Sequence, residues 1–204
     1  MISVALPKGR LGDKAYKAFE KLGYKVDNFG KDRRLVLESS CGTLQYFLVK
    51  PSDVTTYVER GVADIGIVGK DILTENKHDI YELLDLGFGS CYMAVCGYSN
   101  TNIRNKPILR VATKFSNIAK EYFATKNIDT EVIYLNGSIE LAPILGMSDV
   151  IVDIVETGAT LEENNLVVLE KIMPISARLI SNKSRYKFNN EQIVELIEKL
   201  KEVI

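Results

Sequence analysis

Residues 149–166 read DVIVDIVETGATLEENNL. An apolar run delivers Asp153, and then Glu156, into a turn of Thr157, Gly158, Ala159 and Thr160, with Leu161 just beyond it. Glycine in that turn permits tight backbone geometry, so successive amides can converge on an anion. A helix starting near Thr160 would add partial positive charge, and the two threonine hydroxyls add neutral donors. A carboxylate beside a phosphate would repel it, so the acids need another partner, either ribose hydroxyls or a phosphate-bound Mg²⁺ ion. Carboxylates followed by Thr-Gly-x-Thr therefore suit a 5-phosphoribosyl group. Taken alone, the short motif is more often an ordinary strand-to-helix turn, with threonine as cap and the acid complementing the helix dipole.

Rare residues narrow the chemistry. His78 is the one histidine, which excludes any mechanism needing two imidazoles. Cys41, Cys91 and Cys96 are odd in number and lack CxxC spacing, so neither a zinc site nor a disulfide framework is expected. With 26 basic and 27 acidic residues the net charge is −1, and no overall positive field recruits nucleic acid. The apolar run before Pro7 and Lys8 is too short for a signal-peptide core. No stretch approaches the roughly 18 apolar residues of a membrane span. A cytoplasmic chain without nucleic-acid or membrane partners is the expectation. Its 204 residues, 46% hydrophobic and 26% charged, are enough to bury a large core without staples.

The elements that must position the turn alternate. ISVALP reads as a buried strand running into Lys8-Gly9-Arg10, and Ala15, Phe19 and Leu22 recur at helical spacing from Asp13 to a stop at Gly23. RLVLES and TLQYFLVK flank Gly42 as a hairpin or adjacent strands. Ser52 or Asp53 caps a short helix that closes at Gly61, and ADIGIVG is a strand buried on both faces. After a Gly-containing strand-like stretch over 86–97, LRVAT, SNIAKEYFATK and EVIYL give strand, helix and strand. A helix is expected over 138–146, a strand at DVIVDIV, a helix from about Thr160 and a strand at ISARLISN. The last helix presents Ile193, Ile197, Leu200 and Ile204 on one face, with Asn189 or Asn190 as its cap.

Two α/β halves without a flexible linker suggest lobes joined by crossings near residues 89 and 176, with the last helix returning to the first lobe. The expected division is 1–88 plus 176–204 for the first lobe and 89–175 for the second. Ligands of such folds bind at the carboxyl ends of strands.

The wider segment is more specific than its turn. Glu140, Gly146, Ser148, Ile151, Asp153-Ile154 and Thr157-Gly158-x-Thr160-Leu161 together resemble the signature of ATP phosphoribosyltransferase, the enzyme that commits ATP to histidine biosynthesis. LPKGRL at 6–11, DVTTYVERGVADIGIVGKDIL at 53–73 and LNGSIELAP at 135–143 resemble the same family. The resemblance implies an α/β, two-lobe architecture of the type II periplasmic-binding-protein kind, with the active site in the interlobe cleft. Because the chain closes after one helix, it resembles the family's short catalytic form. That form implies a homodimer within a hetero-oligomer, completed by a separate regulatory subunit related to histidyl-tRNA synthetase.

The same resemblance assigns roles. Asp153, Glu156, Thr157, Gly158, Ala159, Thr160 and Leu161 would hold phosphoribosyl pyrophosphate, the acids on ribose hydroxyls and the turn on the 5-phosphate. Lys8, Gly9, Arg10, Leu11 and Asp71 would bind ATP from the first lobe, the nucleotide side. Lys8, Arg33 and Lys50 would act in catalysis, with Mg²⁺ carried on the substrate phosphates. The family more usually has arginine at the position of Lys50, which keeps the charge and loses the bidentate fork. Arg34 is a neighbouring alternative to Arg33. Asp64 and Asp71 also fit strand-end and helix-cap roles, and Glu140 fits either a ligand contact or a cap. Two other readings compete. A two-lobe solute-binding or sensing protein would lack turnover. A nucleobase-salvage phosphoribosyltransferase would carry adjacent acids, where this chain separates Asp153 and Glu156 by two apolar residues.

Overall fold

ISVALP forms β1 (Ile2–Pro7), whose Val4, Ala5 and Leu6 are fully buried, and Lys8-Gly9 leads straight into α1 (Arg10–Lys21). The computed structural model describes residues 1–27, 29 and 34–204. The helix starts at Arg10 rather than Asp13, and Gly12 is why it can lie on the end of β1. A Cβ at Gly12 would stand 1.8 Å from the Pro7 carbonyl oxygen, so only glycine fits. The expected hairpin is present as β2 (Val36–Glu38) and β3 (Leu44–Val49), paired antiparallel. A 3₁₀ turn over Pro51–Asp53 precedes α2 (Val54–Glu59). Neither Ser52 nor Asp53 caps that helix, because the Ser52 hydroxyl donates to the Asp53 carboxylate instead. The fully buried β4 (Ile65–Gly69) runs into α3 (Lys70–Glu75), then β5 (Ile80–Asp85), a strand the apolar pattern did not announce.

The second half opens with β6 (Cys91–Gly97), shorter than the 86–97 stretch expected. It continues through β7 (Leu109–Thr113), α4 (Ser116–Thr125), β8 (Thr130–Tyr134) and α5 (Leu141–Ile144). That last helix is one turn rather than the expected 138–146. Ser138 sits at φ 49 before it, and Gly146 at φ 73 follows it. Next come β9 (Val150–Val155), α6 (Ala159–Glu163) and β10 (Val167–Ile175), the last also unforeseen. The chain closes with β11 (Ala177–Asn182), α7 (Lys183–Phe188) and α8 (Asn190–Lys201). Asn189 does not cap α8 through its side chain; its Nδ2 donates to Asp64 Oδ1 at 3.3 Å. Ile193, Ile197 and Leu200 are buried as expected, whereas Ile204 is exposed and Leu196 takes the remaining core position.

Two compact units result. The first comprises Met1–Leu73, Lys77–Gly89 and Ser176–Ile204, and the second Thr74–Asn76 and Ser90–Ile175. This partition differs from the 1–88 and 89–175 division at Gly89 and at residues 74–76. The first unit holds a six-stranded sheet ordered β2-β3-β1-β4-β11-β5, with β3, β1 and β4 mutually parallel. Alternate residues of β1 feed opposite cores, Val4 and Leu6 toward α1 and α8, Ala5 toward α2. The second unit holds a five-stranded sheet ordered β10-β6-β9-β7-β8, with β9, β7 and β8 parallel and β6 antiparallel to β9. One of its faces packs Val95, Val111, Val150 and Val152 against α4, and the other packs Ala94, Cys96, Ala112, Ile151 and Val155 against α5 and α6.

Candidate active site

The carboxyl ends of parallel strands carry the candidate residues in each unit. In the second unit β9 brings Asp153 up on the face that packs α5 and α6, between buried Ile151 and Val155. Period-2 alternation leaves no other choice once those two neighbours are committed to the core. Asp153 is half-buried, and its Oδ1 accepts the Ile154 amide at 2.8 Å. Glu156 and Thr157 follow as exposed residues, and Gly158 turns the chain at φ 82 into α6. That left-handed conformation is what glycine supplies; a Cβ there would find its nearest neighbour, Val155 Cγ1, only at 3.9 Å.

Gly158 itself is the N-cap of α6 and has no side chain with which to cap the helix. Thr157 Oγ1 accepts the Ala159 amide at 3.4 Å, so threonine caps the turn through one long hydrogen bond. The first amides of a helix have no partner within it. Here they open onto a concavity of about 210 Å³ lined by residues 153–161 together with Cys96, Glu140 and Ile151. All seven residues expected from the turn motif line one site.

Cys96 and Glu140 complete that lining. Glu140 stands directly before α5, makes no side-chain cap there, and lines the concavity. Cys96 pairs with Ile151 across β6 and β9, and its thiol is pushed up to about 12, first by burial and then by the charges of Asp153 and Glu140. The pocket floor is therefore electrically negative. Sequence reading passed over Cys96, because its place beside Asp153 depends on a strand pairing between distant segments.

In the first unit, Lys8 and Lys50 follow β1 and β3 in the same register. Pro7 pairs with Val49, and the Lys8 amide donates to the Val49 carbonyl at 2.7 Å. Both lysines are exposed, as are Gly9 (φ 99) and Arg10. On the other side of β1, β4 ends at Gly69, and Asp71 lies buried in the first turn of α3. The Asp71 carboxylate folds back over Gly69, where a Cβ would stand 2.1 Å from Oδ1. Leu11 packs on the core and against Gly89. Arg33 lies outside the described residues, and Arg34 is exposed before β2. Asp64 is structural: buried, it accepts the Ser3 amide at 2.8 Å and the Ser3 hydroxyl at 2.7 Å.

No group of three or more His, Cys, Asp or Glu is placed to hold a metal ion among the described residues. No helix among them is long and apolar enough to cross a membrane.

Comparison with known proteins gives the family of the chain. The family model described as HisG, ATP phosphoribosyltransferase, matches residues 50–202. The ATP phosphoribosyltransferase of Brachyspira hyodysenteriae is 57% identical over 206 residues, covering 100% of both chains. That of Clostridioides difficile is 52% identical, covering 99% of this chain and 98% of its own. Among solved structures, the ATP phosphoribosyl transferase (HisG:HisZ) complex from Thermotoga maritima superposes with a TM-score of 0.87 at 37% identity, covering 100% of this chain and 98% of that one. The periplasmic aliphatic sulphonate binding protein of Escherichia coli gives a TM-score of 0.64 at 12% identity, covering 99% of this chain and 72% of its own. That likeness shows the fold alone, the type II periplasmic-binding-protein arrangement. With a family signature spanning most of its length and relatives matched end to end at more than half identity, this chain belongs to the ATP phosphoribosyltransferase family.

Proposed function

We propose that the chain carries out its family's reaction with phosphoribosyl pyrophosphate held by residues 153–161 and ATP held by the first unit. The reaction transfers the 5-phosphoribosyl group to N1 of ATP, giving phosphoribosyl-ATP and pyrophosphate, the first step of histidine biosynthesis. The observation that supports the site assignment is the left-handed turn at Gly158, which opens with Asp153 and Glu156 onto one concavity.

The bond from ribose C1 to pyrophosphate breaks as the lone pair of N1 approaches C1, so the transition state resembles an oxocarbenium ion with charge growing on the leaving group. Catalysis is then positioning and electrostatics, and no covalent nucleophile is required. The amides of Ala159, Thr160 and Leu161 and the hydroxyls of Thr157 and Thr160 bind the 5-phosphate. Asp153 and Glu156 accept the ribose hydroxyls and favour the cationic sugar electrostatically. Lys8 and Lys50 supply positive charge for the phosphates of ATP and the departing pyrophosphate, with Gly9 and Arg10 contributing from the same turn and Asp71 from the start of α3. Arg33 keeps the catalytic role assigned from the family resemblance.

The family is generally metal-dependent. Mg²⁺ would arrive on the substrate phosphates rather than in a carboxylate cage, with Asp153 or Glu156 as its single protein ligand, and would neutralise leaving-group charge. The Thermotoga relative was solved as a HisG:HisZ complex. The same association is proposed here: a homodimer within a cytoplasmic hetero-oligomer, completed by a histidyl-tRNA synthetase-like regulatory subunit.

Incubating the purified chain with ATP, phosphoribosyl pyrophosphate and Mg²⁺, with and without that subunit, tests the reading by mass spectrometry. Phosphoribosyl-ATP and pyrophosphate are expected in equal amounts. Turnover of adenine in place of ATP would make it a salvage enzyme, and binding without turnover would make it a solute-binding protein.

A further inference from the structure

The pocket of the second unit poses an electrostatic problem. Its lining holds Asp153, Glu156 and Glu140 and no lysine or arginine, yet its proposed ligand is a phosphate. The helix behind the turn is only five residues long and brings little dipole of its own. A cation should therefore approach from a neighbouring element.

Sheet register identifies one. Lys171 on β10 pairs with Ala94 on β6, and Ala94 pairs with Asp153 on β9. Directly paired antiparallel residues point to the same face, so Lys171, Ala94 and Asp153 form one rank on the face that carries the pocket. The residue between them, Ala94, is fully buried under the apolar cluster that α6 joins through Leu161. The Lys171 side chain leans along the sheet, placing Nζ 4.4 Å from the centroid of the Tyr92 ring. Tyr92 pairs with Val155, the last residue of β9 before the Glu156 turn. The ammonium is thus drawn toward the end of the sheet at which the turn and the start of α6 stand, and α6 itself packs against β10. Among the described residues no carboxylate pairs with Lys171, so a cation–π contact holds it without neutralising it. The other nearby lysine, Lys114 after β7, is diverted. Its Nζ lies 4.8 Å from the Phe115 ring centroid, and Phe115 belongs to the core on the opposite face.

We propose that Lys171, seated on Tyr92, is the cation of the 5-phosphate cradle and pairs with the 5-phosphate of bound phosphoribosyl pyrophosphate. The proposal rests on the assignment of residues 153–161 to that substrate. It lies outside the signature segment, which ends at Leu161, and for that reason motif reading does not reach it.

Calorimetry on the full chain tests it with phosphoribosyl pyrophosphate, ribose 5-phosphate and ATP as ligands. For Lys171→Gln, about a tenfold or greater loss of affinity is expected for the first two ligands, with ATP affinity and melting temperature unchanged. Lys171→Arg should restore binding to within about threefold. In steady state Lys171→Gln should raise KM for phosphoribosyl pyrophosphate and leave kcat near wild type, a split that a merely structural lysine would not produce. Gly158→Val serves as the control for the underlying site. If Gly158→Val abolishes binding and Lys171→Gln binds phosphoribosyl pyrophosphate like wild type, the lysine assignment is overturned and the cradle stands. If Gly158→Val itself binds normally, the cradle falls and the lysine assignment with it.

Discussion

Cys41 and Cys96 show how two identical side chains become chemically opposite. Cys41 is exposed, with Thr43 Oγ1 at 2.9 Å and Ser39 Oγ at 3.4 Å from its sulfur, and hydrogen bonds from those side chains bring its thiol down to about 7. Cys96 lies buried at the floor of the second unit's concavity and is raised to about 12, by burial and then by Asp153 and Glu140. The thiolate is the reacting species, so at about pH 7.5 Cys41 is largely reactive and Cys96 almost wholly protonated. Limited iodoacetamide labelling followed by peptide mass spectrometry should therefore modify Cys41 and spare Cys96. Labelling of Cys96 first would mean that the pocket floor is neither buried nor negative. The role of the acids around it was partly legible beforehand. Asp153 and Glu156 stand out because acids at the end of an apolar strand need partners. That Glu140 and Cys96 line the same concavity emerges only when α5 and β6 are seen to pack on the same face of β9.

The element that most constrains the first unit is α1, through a residue the motif leaves unexplained. Gly9 and Gly12 both sit in LPKGRLG, and they do different things. Gly9 has φ 99 and open space around its absent side chain, whereas Gly12 has no room at all beside the Pro7 carbonyl. Gly9 has ψ −167, a conformation almost confined to glycine, so Gly9→Ala should cost about 1–3 kcal/mol through backbone strain alone. Gly12→Ala should cost about 3 kcal/mol, because α1 must lift away from the end of β1. Urea denaturation of both variants checks these losses, and a Gly12→Ala variant as stable as wild type would contradict the close packing. Buried parallel strands were the easiest elements to read, since β1, β4, β7 and β9 are short, mostly apolar runs. The missed ones have physical reasons. β10 is an edge strand carrying Glu170, Lys171 and Pro174, with register shifts that interrupt its alternation. β5 is half-exposed and pairs only with β11, at the other edge. The six residues of α7 are mostly polar, and the helix is held instead by Asn182, whose side chain accepts the amides of Ser184 and Arg185.

At the scale of the whole molecule, two α/β units are built from one chain that leaves the first near Gly89 and returns at Ser176. The alternation predicted that plan because each half needs its own two-sided sheet core. The grouping of Thr74–Asn76 with the second unit was not predictable from composition. It follows from the Glu75 carboxylate accepting the amides of Asn117 and Ile118 at 3.0 Å, a long-range cap on α4. The proposed division of labour requires that the second unit bind phosphoribosyl pyrophosphate through Asp153 for function rather than for folding. Comparing Asp153→Asn with wild type in turnover, substrate affinity and melting temperature tests that requirement most directly. A fall of about tenfold or more in kcat/KM for phosphoribosyl pyrophosphate is predicted, with the melting temperature within about 3 °C of wild type. Unchanged turnover in a variant that melts far earlier would show that Asp153 supports the fold and that the substrate binds elsewhere.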